Sequence, residues 1–219
     1  MTLIAEDLLS VLLDEQSGKP IVDSTKLPRV LAGAVILELA MNGAVQIGEK
    51  DRVVIAGPAP ADPLLARGYD IVKSAKSPLK PQKVIEKLQK KLDREVAARL
   101  VQQGFVVERQ DKMLGLFPTT AWPAKDSSRR NAVLQWIGSA VVDGTTPLPG
   151  TSAVIALVSA IDAIPKVLPG ADKKSAKQRA KEIAEGDWAS EAVRKAVRDV
   201  NTAVMAAVMV PVIVSTTSS

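Results

Sequence analysis

The chain has 219 residues, no Cys and no His, a formal charge of +5, and a 47% hydrophobic content in which aromatic residues account for only 3%. The two absences exclude disulfides, thiolate nucleophiles, imidazole bases and soft metal sites, and the length asks for a single domain, 1–219. A core made of small aliphatic side chains favours helices packed closely on helices. The positive charge is local: residues 73–99 hold nine bases against Glu86, Asp93 and Glu95, whereas residues 1–23 hold five acids against Lys19.

Thr2 is placed to cap a first helix on which Leu3, Ile4, Leu8, Val11 and Leu12 recur at helical spacing, with Ser17-Gly18-Lys19-Pro20 beyond it as a stop. Its adjacent acids, Glu6 and Asp7, point to different sides of a helix, which argues against a paired-carboxylate site and for a favourable N-terminal dipole contact. Pro28 sits in the first turn of a second helix, LAGAVILELAM, which Asn42-Gly43 closes. The stretches around Glu49-Lys50-Asp51 alternate as a small hairpin. Pro58 to Lys80 reads as a surface excursion with a short helix at Leu64 to Ser74.

From Pro81 to Gln103 one long helix is predicted, with Val84, Ile85, Leu88, Leu92 and Val96 on one side and Lys83, Lys87, Lys90 and Arg94 stacked on the other. Gly104 ends it, and a second hairpin is expected to turn at Asp111-Lys112. Four helices follow: Ser127 to Val142, Thr151 to Ile164, Lys173 to Glu185, and Ala189 to about Val210. The first two of these are apolar enough to belong in the middle of a bundle. No segment reaches the roughly 20 apolar residues of a membrane span, and the acidic N-terminal stretch is unlike a signal peptide. The expectation is a cytoplasmic protein that associates peripherally with the inner face of the membrane.

Catalytic signatures are missing: there is no nucleophile elbow, no phosphate-binding Gly loop and no acidic metal cluster. Neither a cofactor nor a metal is expected. The lysine stripe reads first as a solvated helix face. Arg129 and Arg130 follow FPTTAWPAKDSS and open a helix, where free backbone N–H groups and two guanidinium forks can converge on one phosphate; an ordinary exposed pair is the competing reading. Trp122 and Trp136 read as packing residues. Leu148, between Pro147 and Pro149, either covers a bundle end or dips into a membrane interface.

Several stretches in order resemble the Golgi phosphoprotein 3 family in a shorter bacterial form. TLIAEDLLSVLLDEQSG resembles the family's acidic first helix, LAGAVILELAMNGAVQI its small-residue helix, and RLVQQGFVVERQDKMLGLFPTTAWP its later helix and hairpin. The resemblance implies one mainly α domain: a central apolar helical bundle surrounded by amphipathic helices and two small β-hairpins. It also implies a peripheral membrane adaptor that binds anionic phospholipid headgroups, phosphatidylinositol 4-phosphate in eukaryotic members, and holds protein cargo, without catalysis. The chain has Asp23 near the position of the family's pocket Trp and Ala32 where the lipid-binding members place an Arg. The residues nominated for a headgroup are therefore Arg129, Arg130, Arg29 and Lys26, with Leu148 as the membrane-loop candidate. Two other readings remain: nucleic-acid binding through winged-helix-like units, disfavoured because Leu31 to Met41 has almost no polar side chains to reach base edges, and a scaffold that binds only proteins.

Overall fold

The computed structural model describes residues 2–113, 117–186 and 191–209, excluding the side chains of residues 111–118 and 191–194. Among the described residues the fold is mainly helical, with ten helices and two antiparallel strand pairs. Helix α1 (Ile4–Leu12) begins at Leu3 and not at Thr2: the Leu3 N–H donates to the Glu6 carboxylate at 3.3 Å, so Glu6 reaches back to satisfy a free amide of the first turn. The chain then folds back through an isolated bridge between Leu13 and Pro20.

Helix α2 (Leu27–Met41) is the axis of the molecule, and every residue from Val30 to Leu39 is buried. It is small-faced because other helices close on it from several sides. A Cβ on Gly33 would lie 2.8 Å from a methyl of Val204, and one on Gly68 would lie 2.9 Å from a methyl of Val35. Gly43, with φ +70, ends α2 and opens the pair β1 (Val45–Ile47) and β2 (Val53–Ile55), as the alternation predicts. Because α2 is enclosed, it has no face to offer a nucleic-acid groove, and the first winged-helix-like unit loses its recognition helix.

Helix α3 (Pro63–Lys73) packs on α2, with Asp62 capping the amides of Leu64 and Leu65. The predicted long helix is two: α4 (Pro81–Leu88) and α5 (Leu92–Gln102) are separated at Lys91, whose φ of 60 breaks the helical path. Arg67 holds the break by donating to the carbonyls of Leu88 and Lys90 at 2.8 and 2.9 Å, so the lysine stripe is not one continuous face. In the second hairpin, β3 (Arg109–Met113) and β4 (Phe117–Ala121) pair with Met113 opposite Phe117. Asp111 and Lys112 are thus strand residues, and the turn falls at 114–116, outside the described residues.

Helix α6 (Ser128–Val141) is peripheral and not central as predicted, since Trp136 on it is 53% exposed; Trp122, by contrast, is buried. Helix α7 (Pro149–Ala160) does occupy the core, with Ser152 to Val158 buried. The predicted continuation to Ile164 is interrupted by Asp162 (φ 56), after which come the short α8 (Ile164–Val167) and α9 (Lys173–Glu185). Helix α10 (Glu191–Met209) packs on α2, α4, α7 and α9; its expected limits, Ala189 and Val210, lie outside the described residues. No described helix is long and apolar enough to cross a membrane.

The closeness of α2 to α10 gives a direct test. Gly33→Leu should lower unfolding free energy by about 3 kcal/mol, as expected for overpacking, and Val204→Ala in the same chain should return part of that loss in chemical denaturation.

Candidate functional site: a cationic cleft at the end of the buried helix

The Glu6 carboxylate has no exposed surface. Its Oε1 accepts from Arg99 Nε at 2.6 Å and from Gln103 Nε2 at 3.1 Å. Arg99 also donates to Asp62 at 2.8 Å. Arg129, 8% exposed, places Nη2 2.8 Å from Asp7 and 3.2 Å from Glu6, a charge contact shared between two carboxylates, while its Nε donates to Asp7 at 3.1 Å. The guanidinium lies 5.5 Å from the centre of the Phe105 ring. Nearby, Glu38 accepts from the Ile4 N–H at 2.6 Å. Burial chiefly, and then the negative charges of Asp7, Glu6 and Asp62, hold the Glu38 carboxyl above its ordinary range against that hydrogen bond. Burial likewise raises Asp7, opposed by Arg129.

This network fixes the fate of two nominated residues. Arg129 is spent on internal carboxylates, and Arg130 lies 3.7 Å from Glu15. Both line a small depression with Phe105 and Trp122 whose accessible volume is only about 20 Å³. The sequence grouped them with Lys26 and Arg29, but the structure does not. Leu148 is 76% exposed, so it does not cover the bundle end.

Lys26 and Arg29 lie at the start of α2, beside the carboxyl of Asp23, which the Thr25 hydroxyl and N–H hold below its usual range with the two cations adding to the effect. Lys26 lines a depression of about 200 Å³ with Asp162 and Lys166. Arg29 donates to Gln89 at 3.2 Å and Lys166 to the Ile21 carbonyl at 3.0 Å. Asp162 is also part of the wall of a larger cleft, about 510 Å³, between the end of α7, α9 and α10. That cleft has an apolar floor that includes Ala160, Ile164 and Met205, and a rim with Lys177, Lys181 and Arg198. Lys177 pairs with Asp162 at 2.8 Å, whereas Lys181 makes no ion pair among the described residues. Asp162 therefore joins a polar chamber to an apolar one, both edged with lysines, and the arrangement suits an anionic group that carries apolar surface.

A sequence comparison finds that the model of the Golgi phosphoprotein 3 (GPP34) family matches residues 4–200. The chain belongs to the Golgi phosphoprotein 3 family. No individually curated protein matches it. In this Golgi phosphoprotein 3 family member, Ala32 is fully buried in α2. Lys166, Lys177 and Lys181 were missed in the sequence because they sit among many other surface lysines. The signal available was the small-residue row Ala176, Ala180 and Ala184 next to them, which lets α9 pack closely.

The raised carboxyl of Glu38 predicts a pH dependence. A carboxyl whose folded pKa lies above its unfolded value contributes stability that is present below the unfolded value and lost as pH rises through the folded one. Glu38→Gln keeps an acceptor for the Ile4 N–H without ionising. Its stability relative to the wild type should therefore improve as the pH rises above the ordinary carboxyl range, measured by denaturant unfolding at each pH. Arg129→Leu should cost about 3 kcal/mol in the same measurement, because Asp7 loses its cation and the buried Glu6 keeps only Arg99.

Proposed function

We propose that this Golgi phosphoprotein 3 family member is a peripheral membrane adaptor that docks on anionic phospholipid headgroups, without a chemical step. The observation that carries this reading is the convergence of Lys26, Lys166, Lys177 and Lys181 on two chambers that meet at Asp162. Arg29 adds charge beside the first chamber, and the N-terminal end of α2 adds its dipole. Met205, 39% exposed at the cleft, and Met209, 78% exposed one turn further along α10, supply apolar surface beside the cations. Shallow apolar contact combined with lysine attraction is how a protein attaches reversibly to a charged bilayer.

Leu148 is placed differently. It precedes α7, whereas the cleft is at the other end of that helix, about 18 Å away for 12 residues. Between Asn131 and Pro165 the chain has no Lys or Arg, so exposed Trp136, Val142 and Leu148 lack the cations an anionic bilayer rewards. Those three residues favour a second role, the holding of protein cargo at the end away from the lipid.

Flotation with liposomes tests the reading. Vesicles containing phosphatidylserine or a phosphoinositide should carry the protein at low salt and less of it at physiological salt, and neutral vesicles should not. Reversing Lys177 and Lys181 to Glu should weaken recovery by at least about fivefold per residue, given about 1 kcal/mol for each lysine near an anionic surface. Arg130→Glu should change it little. Absence of any lipid dependence at low salt would overturn the proposal.

A further inference from the structure

Several helix ends come together around the start of α2. A Cβ on Gly33 would meet Val200 and Val204 of α10 and Leu157 of α7, so both helices cross α2 at that level. Helix α10 runs antiparallel to α2, because Lys195, near its start, pairs at 2.7 Å with Asp51, which lies beyond the end of α2. Met209, about 7.5 Å further along the axis than Val204, therefore comes level with Arg29, which stands about 6 Å before Gly33. Helix α4 runs the same way. Just before it, the Leu79 carbonyl accepts from the Val53 N–H of the first hairpin at 2.8 Å, and just after it, Gln89 accepts from Arg29 at 3.2 Å. The elbow between α4 and α5 is thus at the same end of the molecule as the cleft. Helix α10 packs on both α4 and α7, and its exposed Met209 lies between the two.

The elbow is cationic and its charge is not spent inside the fold. Lys87, Lys90, Lys91 and Arg94 are exposed and make no ion pair among the described residues. Glu86 is paired with Lys83 at 2.7 Å and Glu95 with Arg67, which leaves Asp93 as the local acid. Arg67 also donates to the carbonyls of Leu88 and Lys90, so the turn that presents these side chains is fixed from behind.

We infer that the α4–α5 elbow is a second contact for the anionic lipid surface, on the other side of α10 from the cleft. This rests on the headgroup reading above and extends it from one patch to two. A single soluble anion cannot reach both sides of a helix that is roughly 10 Å across, whereas a sheet of headgroups presents phosphates to both at once. An acidic peptide would account for the lysines, but it leaves the exposed Met209 between them without a role. A bilayer interface rewards the cations and the apolar tip together.

The test is flotation of the full chain at low salt on vesicles of phosphatidylcholine and phosphatidylserine. Lys87→Gln combined with Lys90→Gln should weaken recovery by more than about tenfold, from roughly fivefold for each lysine at an anionic surface. Lys76→Gln with Lys80→Gln removes the same charge on either side of Leu79, at the opposite end of α4, and should leave recovery at the wild-type level. All four positions are exposed, and both variants should unfold at the wild-type denaturant concentration. Wild-type recovery of the elbow variant overturns the inference and leaves docking through the cleft standing. Equal losses in the two variants overturn it as well, because net charge alone would then be acting. Unchanged flotation with lost binding of a polyglutamate peptide reassigns the elbow to an acidic protein. A wild-type chain that ignores anionic vesicles removes both readings.

Discussion

The structure depends on one buried carboxylate. Glu6 projects from the first turn of the chain into a point where α1, α5 and α6 meet, and it contacts two arginines that come from residues far along the sequence. Arg129 could not be buried alone, because an uncompensated guanidinium in an apolar interior is prohibitive. Nor could Glu6. Arg99 extends the link to Asp62 and so to the cap of α3, and Arg129 extends it to Asp7 and to the ring of Phe105. The starts of α3 and α6 and the end of α5 are thereby tied to the N-terminal helix. Such a network adds little net stability over well-packed hydrocarbon, but it punishes any other arrangement of the same helices.

The same network divides the cations of the molecule into two kinds. Those that face α1 are satisfied inside the fold and have no charge left for a ligand. Around the end of α7, Lys177 pairs with Asp162, Lys166 donates to the Ile21 carbonyl, and Lys181 makes no ion pair among the described residues. The distinction follows from where the acids lie: the N-terminal helix supplies Glu6 and Asp7 to one side, while the α8 and α9 region has Asp162 and Glu185 against Lys166, Lys177, Lys181 and Arg198.

Much of the architecture could be read from the residues, for identifiable reasons. The limits of α9 coincide with the predicted Lys173 to Glu185, and α2 starts within a residue of Pro28, because Pro, Gly and Asp act locally and do not need the rest of the fold. The break at Lys91 was hidden, since Val84, Ile85, Leu88, Leu92 and Val96 keep a helical phase across it and the residue that secures it, Arg67, is distant in sequence. The placement of Arg129 was hidden for the same reason: a guanidinium at a helix start looks free until its carboxylates arrive from the opposite end of the chain. Lys26 was legible as a cation near a helix N-terminus, but its neighbours Lys166 and Lys177 come together only through the reversal at Asp162.

The run from Asn131 to Pro165 without Lys or Arg has a consequence for how the molecule moves before it touches anything. The start of α7 follows a run with no cations, whereas the cleft at its other end is lined by Lys177, Lys181 and Arg198, so charge is unevenly distributed along this helix. Near a negatively charged sheet such a body experiences a torque as well as an attraction. If the proposed docking on anionic lipid operates, rotational diffusion would be biased within about a Debye length of the surface. Orientation would then be decided in solution by the distribution of charge, with no part of the chain needing to rearrange.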